Sequence, residues 1–113
     1  SAMDWEINYY SDEVQETIDA WPVGIRAFYV RLTERMRHYG PNLGMPFTRS
    51  MGQGLFEIRA KGQEGIGRAF FCTVVDRRII ILHAFIKKSQ KTPAKELAIA
   101  RKRLANVKRQ DEK

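Results

Sequence analysis

Three apolar-rich segments follow one another closely in this chain, "GLFEIRA" from Gly54, "GRAFFCTVV" from Gly67 and "RIIILHAFI" from Arg78. They are joined only by "KGQEG" and the tight "DR" region. Runs rich in β-branched and aromatic residues, bounded by Gly-containing turns, read as strands. Connections this short allow neighbouring strands to pair antiparallel and leave no room for a crossover helix, so the segments form a meander. In the first of them Phe56, Ile58 and Ala60 alternate with Glu57, Arg59 and Lys61, which predicts one core face and one charged face.

The flanking sequence supplies helices. "WEINYY" alternates Trp5, Ile7 and Tyr9 with Glu6, Asn8 and Tyr10 as a first strand. Ser11 or Asp12 offers an N-cap to a short helix carrying Val14, Ile18 and Trp21. Pro22 suits the first turn of a second helix with Ile25, Phe28, Leu32, Met36 and Tyr39 along one side, stopped at Gly40-Pro41. "PFTRSMGQG" reads as an irregular or short-strand piece. After Thr92-Pro93 a final helix places Leu97, Ala100, Leu104 and Val107 on one stripe, with "KRQDEK" as a frayed tail. The expected architecture is α+β: one domain, a mostly antiparallel sheet, an N-terminal helical hairpin and a C-terminal helix, with the helices on one sheet face.

At 113 residues the chain can bury a core without disulfide or metal. Cys72, the single cysteine, reads as a small core residue, which points to a reducing compartment. No apolar run approaches the length of a membrane span, and no signal peptide precedes "DWEINYY". Residues 1–3 read as an appended remnant and a start Met, followed by the domain over residues 4–110, in a soluble cytoplasmic protein with no membrane partner.

Twenty Lys and Arg against thirteen Asp and Glu leave a net charge of +7, which favours nucleic acid, anionic lipid or an acidic partner. One Cys and two distant His, His38 and His83, cannot build a tetrahedral metal site. No P-loop, nucleophile elbow or dinucleotide-binding glycine pattern is present, so no metal or cofactor is expected. What remains is cationic: Arg59, Lys61 and Arg68 beside a run of four lysines, Lys87, Lys88, Lys91 and Lys95. A meander with strands about 5 Å apart would gather them into one basic concavity. Such a group is a solvated charged face, an RNA-binding surface, or a site that stabilises a phosphoryl transition state. Arg68 pairs with Glu57 or Glu64, or meets phosphate. His83 is a core histidine with one satisfied nitrogen, or a proton-transfer group near Lys87 and Lys88.

"GLFEIRAKG" followed by "GRAFFCTVVDRRIIILHAFIKKSQKTPAKELAIARKR" resembles the RelE/ParE superfamily of bacterial toxins, and within it the HigB-like, phage-associated branch. The most specific element is the hydrophobic strand closing in His-x-Phe-x-Lys-Lys-x-x-Lys-Thr-Pro before an Ala- and Arg-containing helix. The similarity is close over residues 54–104. It implies a RelE-like domain acting as the toxin of a type II toxin–antitoxin pair, a ribosome-dependent endonuclease that cleaves messenger RNA and inhibits translation. The partners it implies are the ribosome, messenger RNA and a cognate antitoxin with a helix-turn-helix domain, HigA-like. By position it assigns catalysis to Arg59, Arg68, Lys87, Lys88 and His83, and RNA contacts to Lys61, Lys91 and Lys95. No tyrosine follows Tyr39, so the C-terminal tyrosine that some members use is absent. The competing classes are a ParE-like toxin acting on DNA gyrase without nuclease activity, and a basic nucleic-acid-binding module without catalysis.

Overall fold

The computed structural model describes residues 4–87 and 91–111. The elements run β1 (Glu6–Tyr9), α1 (Asp12–Asp19), α2 (Val23–Tyr39), β2 (Thr48–Gly52), β3 (Leu55–Gly62), β4 (Gly65–Val74), β5 (Arg78–Lys87) and α3 (Ala94–Asp111). The strands form one five-stranded sheet in the order β1-β5-β4-β3-β2. The predicted β3-β4-β5 meander is present, with antiparallel pairing throughout. β1 joins the far edge parallel to β5, Ile7 opposite Ile79.

The helical hairpin forms for the local reasons its sequence offers. Ser11 caps α1, its Oγ accepting from the Val14 amide at 3.3 Å, and Asp12 and Glu13 suit the dipole of the first turn. Gly40 ends α2 at φ 95°, a conformation that a side chain would strain, and donates its amide to the Met36 carbonyl. Pro22 is the N-cap of α2 and lies outside its first turn. The buried stripe of α2 is Ile25, Tyr29, Leu32, Thr33 and Met36. It is rotated from the predicted one, leaving Tyr39 80% exposed.

The helices do not share a sheet face. α1 and α2 cover one side, over a core that includes Ile25, Met36, Ile58, Ala69, Phe71 and Ile79. α3 covers the other through Ala100 and Leu104, against Leu55, Phe70, Cys72, Leu82 and Phe85. The physical reason is visible in β4: "RAFFCTVV" is apolar on both faces, so each face needs a cover. Cys72 is packed here at 1% exposure, and burial pushes its thiol up to about 11, an inert core side chain. α3 continues helical to Asp111, where a frayed tail was expected, and Asp111 pairs with Arg78 at 3.6 Å. No helix among the described residues is long and apolar enough to cross a membrane.

A bulge decides what β5 presents. Phe70 faces His83 but Phe71 faces Ile81, leaving Leu82 as the extra residue. The Leu82 carbonyl accepts from Arg103 Nη1 at 2.7 Å. The shift puts His83, Phe85 and Lys87 on the α3 side of the sheet, whereas strict alternation from Ile81 would have sent them to the other.

Candidate RNA-binding and cleavage site

α3 covers only part of its sheet face. Beyond it, four strands contribute alternate residues to one charged area: Arg49 from β2, Glu57, Arg59 and Lys61 from β3, Ile66 and Arg68 from β4, and Phe85 and Lys87 from β5. Register fixes the neighbours. Arg49 lies opposite Glu57, Arg59 opposite Arg68, Lys61 opposite Ile66, Arg68 opposite Phe85, and Ile66 opposite Lys87.

Glu57 is the centre of this cluster and is fully buried. Its Oε1 accepts from Arg68 Nη1 at 2.9 Å and from Arg49 Nε at 3.0 Å. Arg68 is 1% exposed and Lys87 4%, while Arg49 and Arg59 are half-buried and Lys61 is exposed. One carboxylate therefore sits among Arg49, Arg59, Arg68 and Lys87. Burial, together with Arg59 and Arg49 and against the pull of Glu57, brings the Arg68 guanidinium below its ordinary range. Burial and then the charge of Arg68 do the same to the Lys87 ammonium. Among the described residues the buried atoms Arg59 Nε, Arg68 Nε and Glu57 Oε2 have no hydrogen-bond partner. Cations gathered in excess around one carboxylate leave net positive charge at the half-open side of the cluster, which an anion there would relieve.

His83 adjoins this cluster on the same face. Its ring stacks on Phe85, centroids 5.8 Å apart, and its Nε2 lies 3.2 Å from Glu96 Oε1 at the start of α3. A carboxylate at that distance fixes the orientation of the imidazole, as a proton-transfer group requires.

The structure thus brings Arg59, Arg68 and Lys87 together, with His83 beside them and Lys61 at the margin. Lys91 and Lys95 are exposed where the chain enters α3, and Lys88 lies outside the described residues. Of the partners the sequence left open for Arg68, the structure shows Glu57, at 2.9 Å, with the arginine 1% exposed inside the fold. The sequence reading passed over Arg49, Phe85 and Glu96. Arg49 was legible only through the β2–β3 register, and Glu96 only once the bulge had turned His83 toward α3. Two arginines of α3 are engaged within the fold. Arg101 donates to the Met51 and Gly52 carbonyls at 2.8 Å, and Arg103 to Leu82 while lying over the Tyr10 ring.

Comparison with known proteins bears on this geometry. Among solved structures the chain is similar to the Escherichia coli toxin RelE, determined as an arginine-substituted mutant in the free state. The match has a TM-score of 0.57 at 9% identity, covering 90% of this chain and 99% of that one, which establishes the RelE-like fold. No curated protein sequence matches. The model of the phage-derived Gp49-like proteins matches residues 16–105, from α1 through most of α3 and across every strand of the charged cluster, and the chain belongs to that family.

Proposed function

We propose that the protein is the toxin of a type II toxin–antitoxin pair, of the HigB-like branch, and that it cleaves messenger RNA on the ribosome. The observation that carries this reading is the cationic cluster built around one buried carboxylate, on the part of the sheet that α3 leaves uncovered. Cleavage of RNA by attack of a ribose 2′-OH on the adjacent phosphate places extra negative charge on the phosphoryl oxygens. Preorganised cations are the groups that stabilise it. Arg59 and Arg49 reach the phosphate from the half-open side, Lys61 holds the neighbouring backbone, and Arg68 and Lys87 strengthen the field from beneath. Glu57 fixes the two arginines it binds. The P–O5′ bond breaks as the O2′–P bond forms, giving a 2′,3′-cyclic phosphate and a 5′-OH; His83, oriented by Glu96, supplies the proton to the leaving 5′ oxygen, and the 2′-OH proton passes to water. Lys88, Lys91 and Lys95 extend the contact toward ribosomal RNA. A toxic basic face needs a keeper in the cell, and the expected one is a HigA-like antitoxin with a helix-turn-helix domain.

Primer extension on a translated message tests the reading. Breaks should appear within codons in the presence of ribosomes and vanish without them. Equal cutting of naked RNA, or gyrase-dependent DNA breaks in place of RNA cleavage, would refute it.

A further inference from the structure

The charged cluster does not end at the sheet. β2 pairs with β3 only as far as Ile58, and the Arg59 amide makes the last contact across that edge, donating to the Phe47 carbonyl at 2.9 Å. By strand alternation the N–H and C=O of Lys61 point the same way, toward the open edge beyond β2. A cleft of about 310 Å³ lies there, lined by Phe28, Pro46, Phe47, Arg59, Lys61 and Ile66. Phe28 and Phe47 are half-buried neighbours with ring centroids 6.2 Å apart. Arg31 lies over the Phe28 ring at 5.5 Å and Arg35 over the Phe47 ring at 5.3 Å.

Two aromatic rings, an uncovered backbone donor and acceptor, and four surrounding cations with no acidic residue in the lining select a ligand that is flat, anionic and able to hydrogen-bond at its edge. An acidic peptide would satisfy the charges but bring no flat group to the rings. A nucleotide meets all three conditions. We infer that this cleft is a nucleobase subsite: it takes one unstacked base of the bound RNA, with the attached phosphate directed to Arg59 and Lys61. The inference deepens the cleavage reading by giving the site a base-contacting pocket next to the phosphate-binding cluster, and it rests on that reading for the identity of the RNA.

The four ribonucleoside 3′-monophosphates, titrated separately into the isotope-labelled protein and followed by NMR, test it without ribosomes. Inorganic phosphate and ribose 5-phosphate serve as ligands lacking a base. Nucleotides should shift the Phe28 and Phe47 ring resonances and the Lys61 amide, and the two controls should leave the rings unmoved. Arg35→Gln, at an exposed position away from the core, should weaken nucleotide binding about fivefold or more without changing the melting temperature. Phe47→Leu should weaken nucleotide binding as well, at some cost in melting temperature because its ring packs against the core, with folding checked by its amide spectrum. Ring shifts equal with inorganic phosphate, or rings unmoved at saturating nucleotide, would overturn the subsite. Because this readout needs no cleavage, ring shifts in a protein that fails the ribosome assay would sustain the subsite and remove the messenger-cleavage reading. Codon-specific cutting without ring shifts would do the reverse.

Discussion

Arg68 shows how burial changes the meaning of a residue. Taken as a half-exposed strand-end cation, it could be removed at little cost to the fold, and Arg68→Ala would give a stable, inactive protein. At 1% exposure and 2.9 Å from a fully buried carboxylate it is one half of an interior ion pair. Removing one partner of such a pair typically costs about 3–5 kcal/mol, because the other charge stays buried. Arg49 still holds Glu57 at 3.0 Å, so the lower part of that range applies here. Arg68→Ala should therefore lower both stability and cleavage, whereas Arg59→Ala, half-buried and without an ion pair of its own among the described residues, should lower cleavage with little change in stability. Urea denaturation and ribosome-dependent cleavage measured on both variants check this. Should Arg68→Ala unfold at the wild-type midpoint, the Glu57 pair does not contribute as its geometry indicates.

At the scale of elements, close approach of the helical hairpin to the β3–β4 hairpin depends on two glycines. A methyl group at Gly62 would stand 2.7 Å from Ile25 Cγ1 and 2.9 Å from the Ile25 amide nitrogen, and one at Gly67 would stand 2.7 Å from both Ile25 and Trp21. Backbone cannot yield as a side chain can, so Gly62→Ala should destabilise by about 1–3 kcal/mol. Gly62 is also next to Lys61, and the displaced β3 end should weaken RNA binding in the same variant. Thermal melting paired with an RNA-binding titration tests the coupling; unchanged melting would mean that the start of α2 moves freely. Period-2 patterning and short turns made the meander legible in the sequence, and cap residues made the helical hairpin legible. Three things were not. An amphipathic stripe says that α3 packs but not on which sheet face, and the double-sided apolarity of β4 was the only clue. A bulge at Leu82 has no local mark, yet it places His83, Phe85 and Lys87 beside Arg68. The stripe of α2 drifted because Tyr29 and Thr33, polar by type, satisfy their hydroxyls internally, at Tyr9 Oη and at the Tyr29 and Val30 carbonyls.

For the whole molecule, a net charge of +7 does not mean that every cation is available to a partner. Arg101 and Arg103 clamp α3 onto the β2–β3 turn and the β5 bulge, and Arg78 pairs with Asp111. Arg59 and Lys61 line the open cleft, with Arg31 and Arg35 stacked on its two rings. If ribosome association runs through this side, log affinity should fall linearly with log salt as counterions leave the RNA. Lys61→Ala, at an exposed position, should make that slope shallower by about one unit while leaving stability unchanged. Arg103→Ala should behave oppositely: its charge is engaged by the Leu82 carbonyl and the Tyr10 ring, so losing it should lower the melting temperature and leave the slope as it was. Co-sedimentation with ribosomes across a salt series, beside thermal melting, separates the two. If Arg103→Ala flattened the slope as much as Lys61→Ala and melted normally, the RNA-facing surface would lie on α3, and the cluster around Glu57 would be an interior feature of the fold.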